Sequence, residues 1–262
     1  MNNDAIMVTG ATGVLGREVL ERARRTGAPV RALTRRSQLP DGAGVTWCTG
    51  DLASGTGLDE AFAGVRTIIH CATDARHFKK DVPAFRHLLE AAKRAAGVEH
   101  IVNISIVGID RIPYPYYRIK LEGERMLAAS GIGWTNLRAT QFPELLDMVF
   151  TLLAKLPVVL VPARSACQPV APGDVADRLV ELAAGGPAGR VPDLAGPTVY
   201  GMDRLARTWL RATGKRRLVL PVLLPGKSGA ALRAGALTAP SRALGRRTWE
   251  EFLAGKACDR AE

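Results

Sequence analysis

The sequence predicts an α/β protein built on a doubly wound parallel sheet, and three observations predict it. Apolar runs of strand length alternate with segments of helical period from the N-terminus onward. The first such run, ending at Thr9, opens into Gly10-Ala11-Thr12-Gly13-Val14-Leu15-Gly16, a glycine-rich turn leading into a helix. Glycines at 27, 64 and 97 stand where helices should stop and strands begin. A chain of 262 residues is long enough to bury one large core, so a single domain over 1–262 is expected, with about 163–262 forming a small C-terminal cap over the carboxyl ends of the strands.

Taken in order, strands are expected near 5–9, 29–34, 44–48, 66–71, 98–105 and 133–138. Helices are expected near 14–26, 57–63, 80–96, 115–130 and 142–155. The helix at 14–26 rests on the spacing of Val14, Leu15, Val19, Leu20 and Ala23. The helix at 115–130 is started by Pro113 and Pro115. The apolar stretch from Leu145 to Val161 is broken by Asp147, Lys155 and Pro157, so it reads as a helix followed by a buried strand and no membrane span is expected. Beyond Pro162 the alternation loosens into helices near 172–184, 203–213 and 227–236, separated by a Pro/Gly stretch from Gly185 to Pro197.

Composition narrows the function classes. The N-terminus has no basic leader with an apolar core, and the four cysteines and four histidines have no metal-ligand spacing, so a cytoplasmic protein without a structural metal is expected. The net charge of +11 is concentrated late in the chain: between Arg204 and Lys256 twelve Lys/Arg face two acids, Glu250 and Glu251. Such a run suits nucleic acid, an anionic surface or an acidic substrate, but a solvated Arg-rich surface is the favoured reading. Aromatic residues are not interleaved with the basic ones, so a nucleic-acid partner is not expected.

The glycine turn is read as a phosphate cradle. Gly10, Gly13 and Gly16 serve a tight turn, close approach of main-chain N–H groups to a pyrophosphate, and close helix packing; Thr12, Val14 and Leu15 belong to the same segment. A glycine turn that binds nothing is the alternative. At the end of the second strand stand Thr34-Arg35-Arg36, with no acid between Glu21 and Asp41. A carboxylate there would accept from a ribose 2′-hydroxyl, whereas Arg35 and Arg36 suit a 2′-phosphate, so NADP(H) is the expected cofactor. After the third strand, Asp51 of Gly50-Asp51-Leu52 could accept from an adenine amine or simply hold a turn. After the fourth, the small residues of Cys71-Ala72-Thr73 would let a dinucleotide cross closely, and His70 reads as a core histidine rather than a base. Tyr116 and Lys120 lie one helical turn apart: an ammonium beside a phenol favours the phenolate and makes a general acid for a carbonyl oxygen. An exposed i,i+4 pair is the plainer explanation. Tyr117 lacks this spacing, and Tyr114 precedes the helix.

Together these residues resemble the atypical short-chain dehydrogenase/reductases, in particular their NAD(P)H-binding, NmrA-like branch. The resemblance is carried by Thr9 to Gly16, Thr34-Arg35-Arg36, Gly50-Asp51-Leu52, Asn103 to Gly108, Tyr116 to Lys120, Leu137 to Phe142, Gln168-Pro169-Val170 and Asp174-Val175-Ala176, covering roughly the first 180 residues. It implies a Rossmann-type fold, NADP(H) over the strand ends, and Thr140, Gln141 and Phe142 near the nicotinamide. It also implies a serine or threonine after the fifth strand that hydrogen-bonds the substrate oxygen, for which Ser105 is the candidate, although Ile106 stands where members often carry a second serine. The expected activity is NADPH-dependent reduction of a small carbonyl, quinone or enone, with Tyr116 as proton donor and Lys120 as its partner and ribose ligand. A non-catalytic NADP(H) sensor is the alternative, and a sugar-nucleotide epimerase fits less well because the C-terminal part is short.

Overall fold

The computed structural model describes residues 5–36, 44–74, 78–95 and 97–258. The last residue of the helix expected over 80–96 lies outside them. In chain order the elements are β1 (Ala5–Thr9), α1 (Val14–Arg24), β2 (Val30–Thr34), β3 (Thr46–Thr49), α2 (Leu58–Phe62), β4 (Val65–His70), α3 (Asp81–Arg94), β5 (His100–Ile106), α4 (Pro115–Ala128), β6 (Gly133–Ala139), α5 (Pro143–Leu153) and β7 (Val158–Pro162). There follow β8 (Ala166–Cys167), α6 (Pro172–Gly185), β9 (Gly189–Arg190), β10 (Tyr200–Gly201), α7 (Met202–Ala212), β11 (Leu218–Val222), α8 (Gly226–Arg233) and α9 (Trp249–Cys258). Every strand and helix expected up to residue 155 is present within a few residues of its bounds.

Seven strands form one sheet in the order β3-β2-β1-β4-β5-β6-β9, and the pairs β1–β2, β1–β4, β2–β3, β4–β5 and β6–β9 are parallel. This is the Rossmann-type doubly wound α/β fold. The chain begins in the middle of the sheet, steps outward through β2 and β3, and returns to lay β4 against the free side of β1. The reversal between β1 and β4 puts the loops that follow these two strands side by side, which is where α/β sheets of this kind bind ligands. A central parallel strand is covered on both faces and so reads as a continuous apolar run; in β1 Met7 and Val8 are fully buried.

The residues divide into two compact units, one comprising 1–105, 115–137 and 175–191, the other 106–114, 138–174 and 192–262. In the first, Met7, Leu33, Phe62, Ile68, Phe85, Leu88, Ile101 and Leu127 form the core. Helix α3 supplies Phe85, Leu88, Leu89 and Ala92 at helical spacing. Helix α4 buries only Leu127, and polar contacts help to hold it. Glu124 Oε1 accepts from Asn136 Nδ2 at 2.9 Å, and Asn136 Oδ1 accepts from Asn103 Nδ2 at 2.6 Å.

The second unit has its own core of Leu146, Phe150, Val159, Val161, Leu205, Trp209, Val219, Trp249 and Phe252. The ring centroids of Phe150 lie 6.1 Å from Trp209 and 6.2 Å from Trp249, and Trp249 stacks on Phe252. A buried carboxylate ties three of its elements together: Asp147 on α5 accepts from Trp209 Nε1 at 2.8 Å and pairs with Lys256 on α9. Strands β7 and β11 pair in parallel as a separate two-stranded ribbon. Strand β11, helix α9 and the two-residue strands go beyond the elements expected from the sequence.

Candidate functional site

The site is built at the ends of β1 and β4. Gly10 has φ +68, and a Cβ there would come within 2.6 Å of the main-chain N of Ala72, so the turn after β1 lies directly against the segment after β4. A Cβ on Gly16 would meet the Gly10 carbonyl at 2.1 Å, so this glycine lets the first turn of α1 close onto the loop that starts it. Gly13 differs. Its φ of −76 and ψ of 173 suit any residue, and the nearest atom to a Cβ would be the Gly10 carbonyl at 3.2 Å. A methyl at 13 would press only on that one carbonyl oxygen, far less severely than at Gly10 or Gly16, and its absence leaves room for an anion to approach the main chain.

Gly13 is the N-cap of α1 and offers no side chain to its N–H groups, and the first turn carries no acid. Thr12, Gly13 and Val14 are exposed, while Leu15 and Gly16 are buried. An open helix N-terminus with a positive dipole end and no competing carboxylate fits a pyrophosphate. Arg35 and Arg36 follow β2 and are exposed; Thr34 Oγ1 accepts from the Arg36 N–H at 3.2 Å. These guanidiniums fit a 2′-phosphate. Asp51 holds its own turn, with Oδ1 accepting from the Ala53 N–H at 3.0 Å, and the carbonyl of Leu52 contacts His87 Nδ1 at 2.9 Å.

The segment after β4 carries the polar chemistry. His70 is buried, with Nδ1 2.8 Å from Thr9 Oγ1 and its ring tilted on Phe85, so it is a satisfied core histidine. Burial, reinforced by the positive charge of Lys120, pushes its pKa down to about 3. Cys71 is half-buried, and burial pushes its thiol up to about 12. Both groups are therefore neutral neighbours of Lys120.

Tyr116 stands in the first turn of α4. Its hydroxyl lies 3.1 Å from Thr73 Oγ1, and Thr73 Oγ1 donates to Asp81 Oδ2 at 2.6 Å. Threonine has one hydroxyl proton and an ionised carboxylate only accepts. The polarity of the chain follows: Tyr116 donates to Thr73, and Thr73 to Asp81. Asp81 sits in the first turn of α3, where the helix dipole favours a negative charge, and its Oδ1 accepts from the Asp74 N–H at 3.0 Å. Burial lowers the pKa of Lys120, one turn along α4 from Tyr116, while the carboxylates of Asp81 and Glu124 oppose the shift. The turn at 10–16, Thr73, Tyr116, Lys120 and Ser105 all belong to the first unit.

Ser105 on β5 is only 3% exposed, and its Oγ is buried without a hydrogen-bond partner. Among the other expected site residues, Thr140, Gln141 and Phe142 fall in the second unit. There Thr140 Oγ1 donates to the Gln168 carbonyl, and Gln141 Oε1 accepts from Cys167 Sγ at 2.8 Å. Gln141 Nε2 is buried without a partner, and Phe142 is the N-cap of α5. Sequence reasoning missed Asp81 and the anchor made by Glu124, Asn136 and Asn103. An acid opening a helix was the one available signal for Asp81. No group of three or more His, Cys, Asp or Glu side chains among the described residues could hold a metal ion, and no helix among them is long and apolar enough to cross a membrane.

Comparison with known proteins gives the family and the fold. Residues 10–147 match the model of the NAD(P)H-binding family. A (4-alkanoyl-5-oxo-2,5-dihydrofuran-3-yl)methyl phosphate reductase of Streptomyces griseus is 34% identical over 141 residues, which are 52% of this chain and 48% of that protein, so the chain spans about half the length of this relative. Quinone oxidoreductase 2 of Escherichia coli (strain K12) is 29% identical over 224 residues, 80% of this chain and 75% of that one. The solved structure of an NADPH-dependent quinone oxidoreductase of Escherichia coli complexed with NADPH superposes with a TM-score of 0.78 at 24% identity, covering 96% of this chain and 99% of that one, and so shares the fold. With more than half its length matched, the chain belongs to the NAD(P)H-binding family.

Proposed function

We propose that the protein is an NADPH-dependent oxidoreductase that reduces a small carbonyl, quinone or enone. The observation that carries the reading is the polarised chain from Tyr116 through Thr73 to Asp81, on the same helix turn as Lys120 and in the same unit as the glycine turn. The names of the two curated relatives, a reductase and a quinone oxidoreductase, point the same way. Main-chain N–H groups of residues 12–16 would hold the pyrophosphate, Arg35 and Arg36 the 2′-phosphate, Asp51 with Leu52 the adenine side, and Lys120 the ribose hydroxyls. Cys71, Ala72 and Thr73 would line the path across the strand ends. The bound dinucleotide supplies a hydride.

The chain's own residues manage the proton. Tyr116 turns its O–H from Thr73 to the substrate oxygen and donates it there. Lys120 offsets the negative charge left on the phenol, and Ser105 presents its unpaired hydroxyl to the same oxygen. Asp81 keeps Thr73 donating away from Tyr116, so the phenol holds its proton until an acceptor arrives.

Calorimetry with NADPH and NADH, followed by a screen of quinones, aldehydes and enones for NADPH oxidation, tests the reading. NADPH should bind at least about tenfold tighter, the equivalent of roughly one charge-assisted contact. Tyr116→Phe should keep NADPH affinity and lose on the order of a hundredfold to ten-thousandfold in turnover. Tight NADPH binding with no substrate in a broad screen would make the protein a sensor. Equal affinities that survive Arg35→Ala with Arg36→Ala would remove the argument from the arginines.

A further inference from the structure

The ribbon formed by β7 and β11 has one buried face and one open face. Val159, Val161 and Val219 point into the core of the second unit. The alternate residues point outward: Leu160 is 47% exposed, Leu218 65% and Leu220 47%, and Leu160 and Leu220 are register partners. Leu156, just before β7, and Leu223, just after β11, extend this apolar surface at 55% and 63% exposure.

Cations stand at both ends of the ribbon. Because the strands are parallel, their starts lie together, with exposed Lys155 before β7 and exposed Lys215, Arg216 and Arg217 before β11. At the other end are exposed Arg164 after β7, exposed Lys227, and Arg233, whose Nη1 donates to the Leu224 carbonyl at 2.8 Å. Neither stretch of chain around the ribbon contains an acid: residues 148–173 have none, and residues 204–249 have eleven Lys/Arg and no Asp or Glu.

We propose that this face is a docking surface for an anionic phospholipid bilayer, with the leucines entering the acyl boundary and the cations meeting the headgroups. Aliphatic side chains flanked by Lys and Arg are what an interfacial membrane contact requires. A single-stranded nucleic acid would call for aromatic stacking surfaces, and none of the exposed side chains on the ribbon is aromatic, while a duplex bound through its phosphates would leave the exposed leucines unused. A second copy of the chain fits less well, because a two-fold contact on this patch would set cations against cations. Pro221 also lacks the N–H that edge-to-edge pairing along β11 would use. The basic C-terminal stretch, read from sequence alone as solvated surface, thereby gains an apolar counterpart that only the strand pairing reveals.

Co-sedimentation of the full chain with vesicles of phosphatidylcholine mixed with phosphatidylglycerol, against phosphatidylcholine alone, tests the proposal. Partition into the anionic vesicles should exceed that into neutral ones by well over tenfold and weaken with salt. Replacing Arg216→Gln with Lys227→Gln should cost about fivefold per cation. Leu218→Ser with Leu220→Ser should cost on the order of tenfold per leucine, and thermal melting should hardly move because these side chains are already in water. No association with anionic vesicles overturns the proposal, and so does binding that the leucine pair leaves unchanged. A lipid-free dimer that the leucine pair dissociates would assign the face to a second copy, and duplex DNA displacing the protein from vesicles at physiological salt would assign it to nucleic acid.

Discussion

Replacing Gly13 and Gly16 by alanine, one at a time, separates the two jobs of the glycine turn. At Gly16 the new methyl would stand 2.1 Å from the Gly10 carbonyl oxygen and 2.8 Å from the Ala11 Cα, both main-chain atoms of a tight turn. Neither can swing aside as a flexible side chain would, so the loop or the first turn of α1 must shift. Overpacking of this kind costs about 1–3 kcal/mol. For a chain of this size that lowers Tm by roughly 3–10 °C, and the displaced turn should bind NADPH poorly. At Gly13 the backbone already has dihedrals that alanine adopts, and the closest contact of the methyl is 3.2 Å. Tm should move by no more than about 4 °C, since the Gly10 carbonyl has only a few tenths of an ångström to yield and a Gly→Ala change at such dihedrals is worth about 0.4–1 kcal/mol. The methyl nevertheless occupies the exposed side of the turn, and a displaced pyrophosphate should cost at least about 1.4 kcal/mol, tenfold in Kd. Scanning calorimetry and NADPH titration on both variants read the two effects. Undiminished NADPH affinity in Gly13→Ala would refute the cradle, and an unchanged Tm in Gly16→Ala would refute the packing argument.

Other residues give equally direct tests. Ser105→Ala removes a buried hydroxyl that has no partner, so Tm should hold or rise while turnover of a substrate found by screening falls; a fall in Tm of several degrees would mean the hydroxyl has a structural bond. His70 titrates at about 3 when folded and near ~6.5 when unfolded, so the unfolded chain binds the extra proton between those values and stability falls as pH drops through that window. About 2 kcal/mol should be lost between about pH 6.5 and 5, measured by urea melts, and His70→Gln should flatten that part of the profile. Asp147→Ala would leave the buried Trp209 N–H without its acceptor while the partly exposed Lys256 ammonium turns to solvent, and should cost about 1–3 kcal/mol. A melt indistinguishable from the parent would show that α9 does not depend on this carboxylate.

What the sequence disclosed was what depends on short spacing. The glycine turn, the alternation of strands and helices, the arginines after β2 and the Tyr116–Lys120 turn are all written within a few residues of one another. His70 was legible as a core residue because it continues an apolar strand. The chain from Tyr116 through Thr73 to Asp81 was not, since it joins residues 43 and 8 positions apart through a loop whose course no local pattern fixes. The anchor from Asn103 through Asn136 to Glu124 is similarly distant. Helix α9 does carry a local signal: Thr248 and Glu251 form a capping box, with Glu251 Oε2 accepting from the Thr248 N–H at 2.7 Å and Thr248 Oγ1 from the Glu251 N–H at 3.2 Å. Strand β11 contains Pro221, which counts against a strand unless it lies at an edge.

The two compact units are interleaved along the chain. The backbone passes from one to the other at 105–106, 114–115, 137–138, 174–175 and 191–192, and the first and third of these points fall inside β5 and β6. Neither unit can therefore be completed by the ribosome before the other has begun. A nascent chain that has emerged as far as Val191 holds every segment of the first unit, yet it also carries Leu146, Phe150 and Val159 without Trp209 and Trp249, the side chains that later cover them. Such an intermediate exposes apolar surface until Trp209 and Trp249 have emerged, a period of roughly several seconds at usual elongation rates. Expression of shortened versions should accordingly yield insoluble protein, and the yield of the whole chain should respond to chaperone supply more than to the stability of its finished fold.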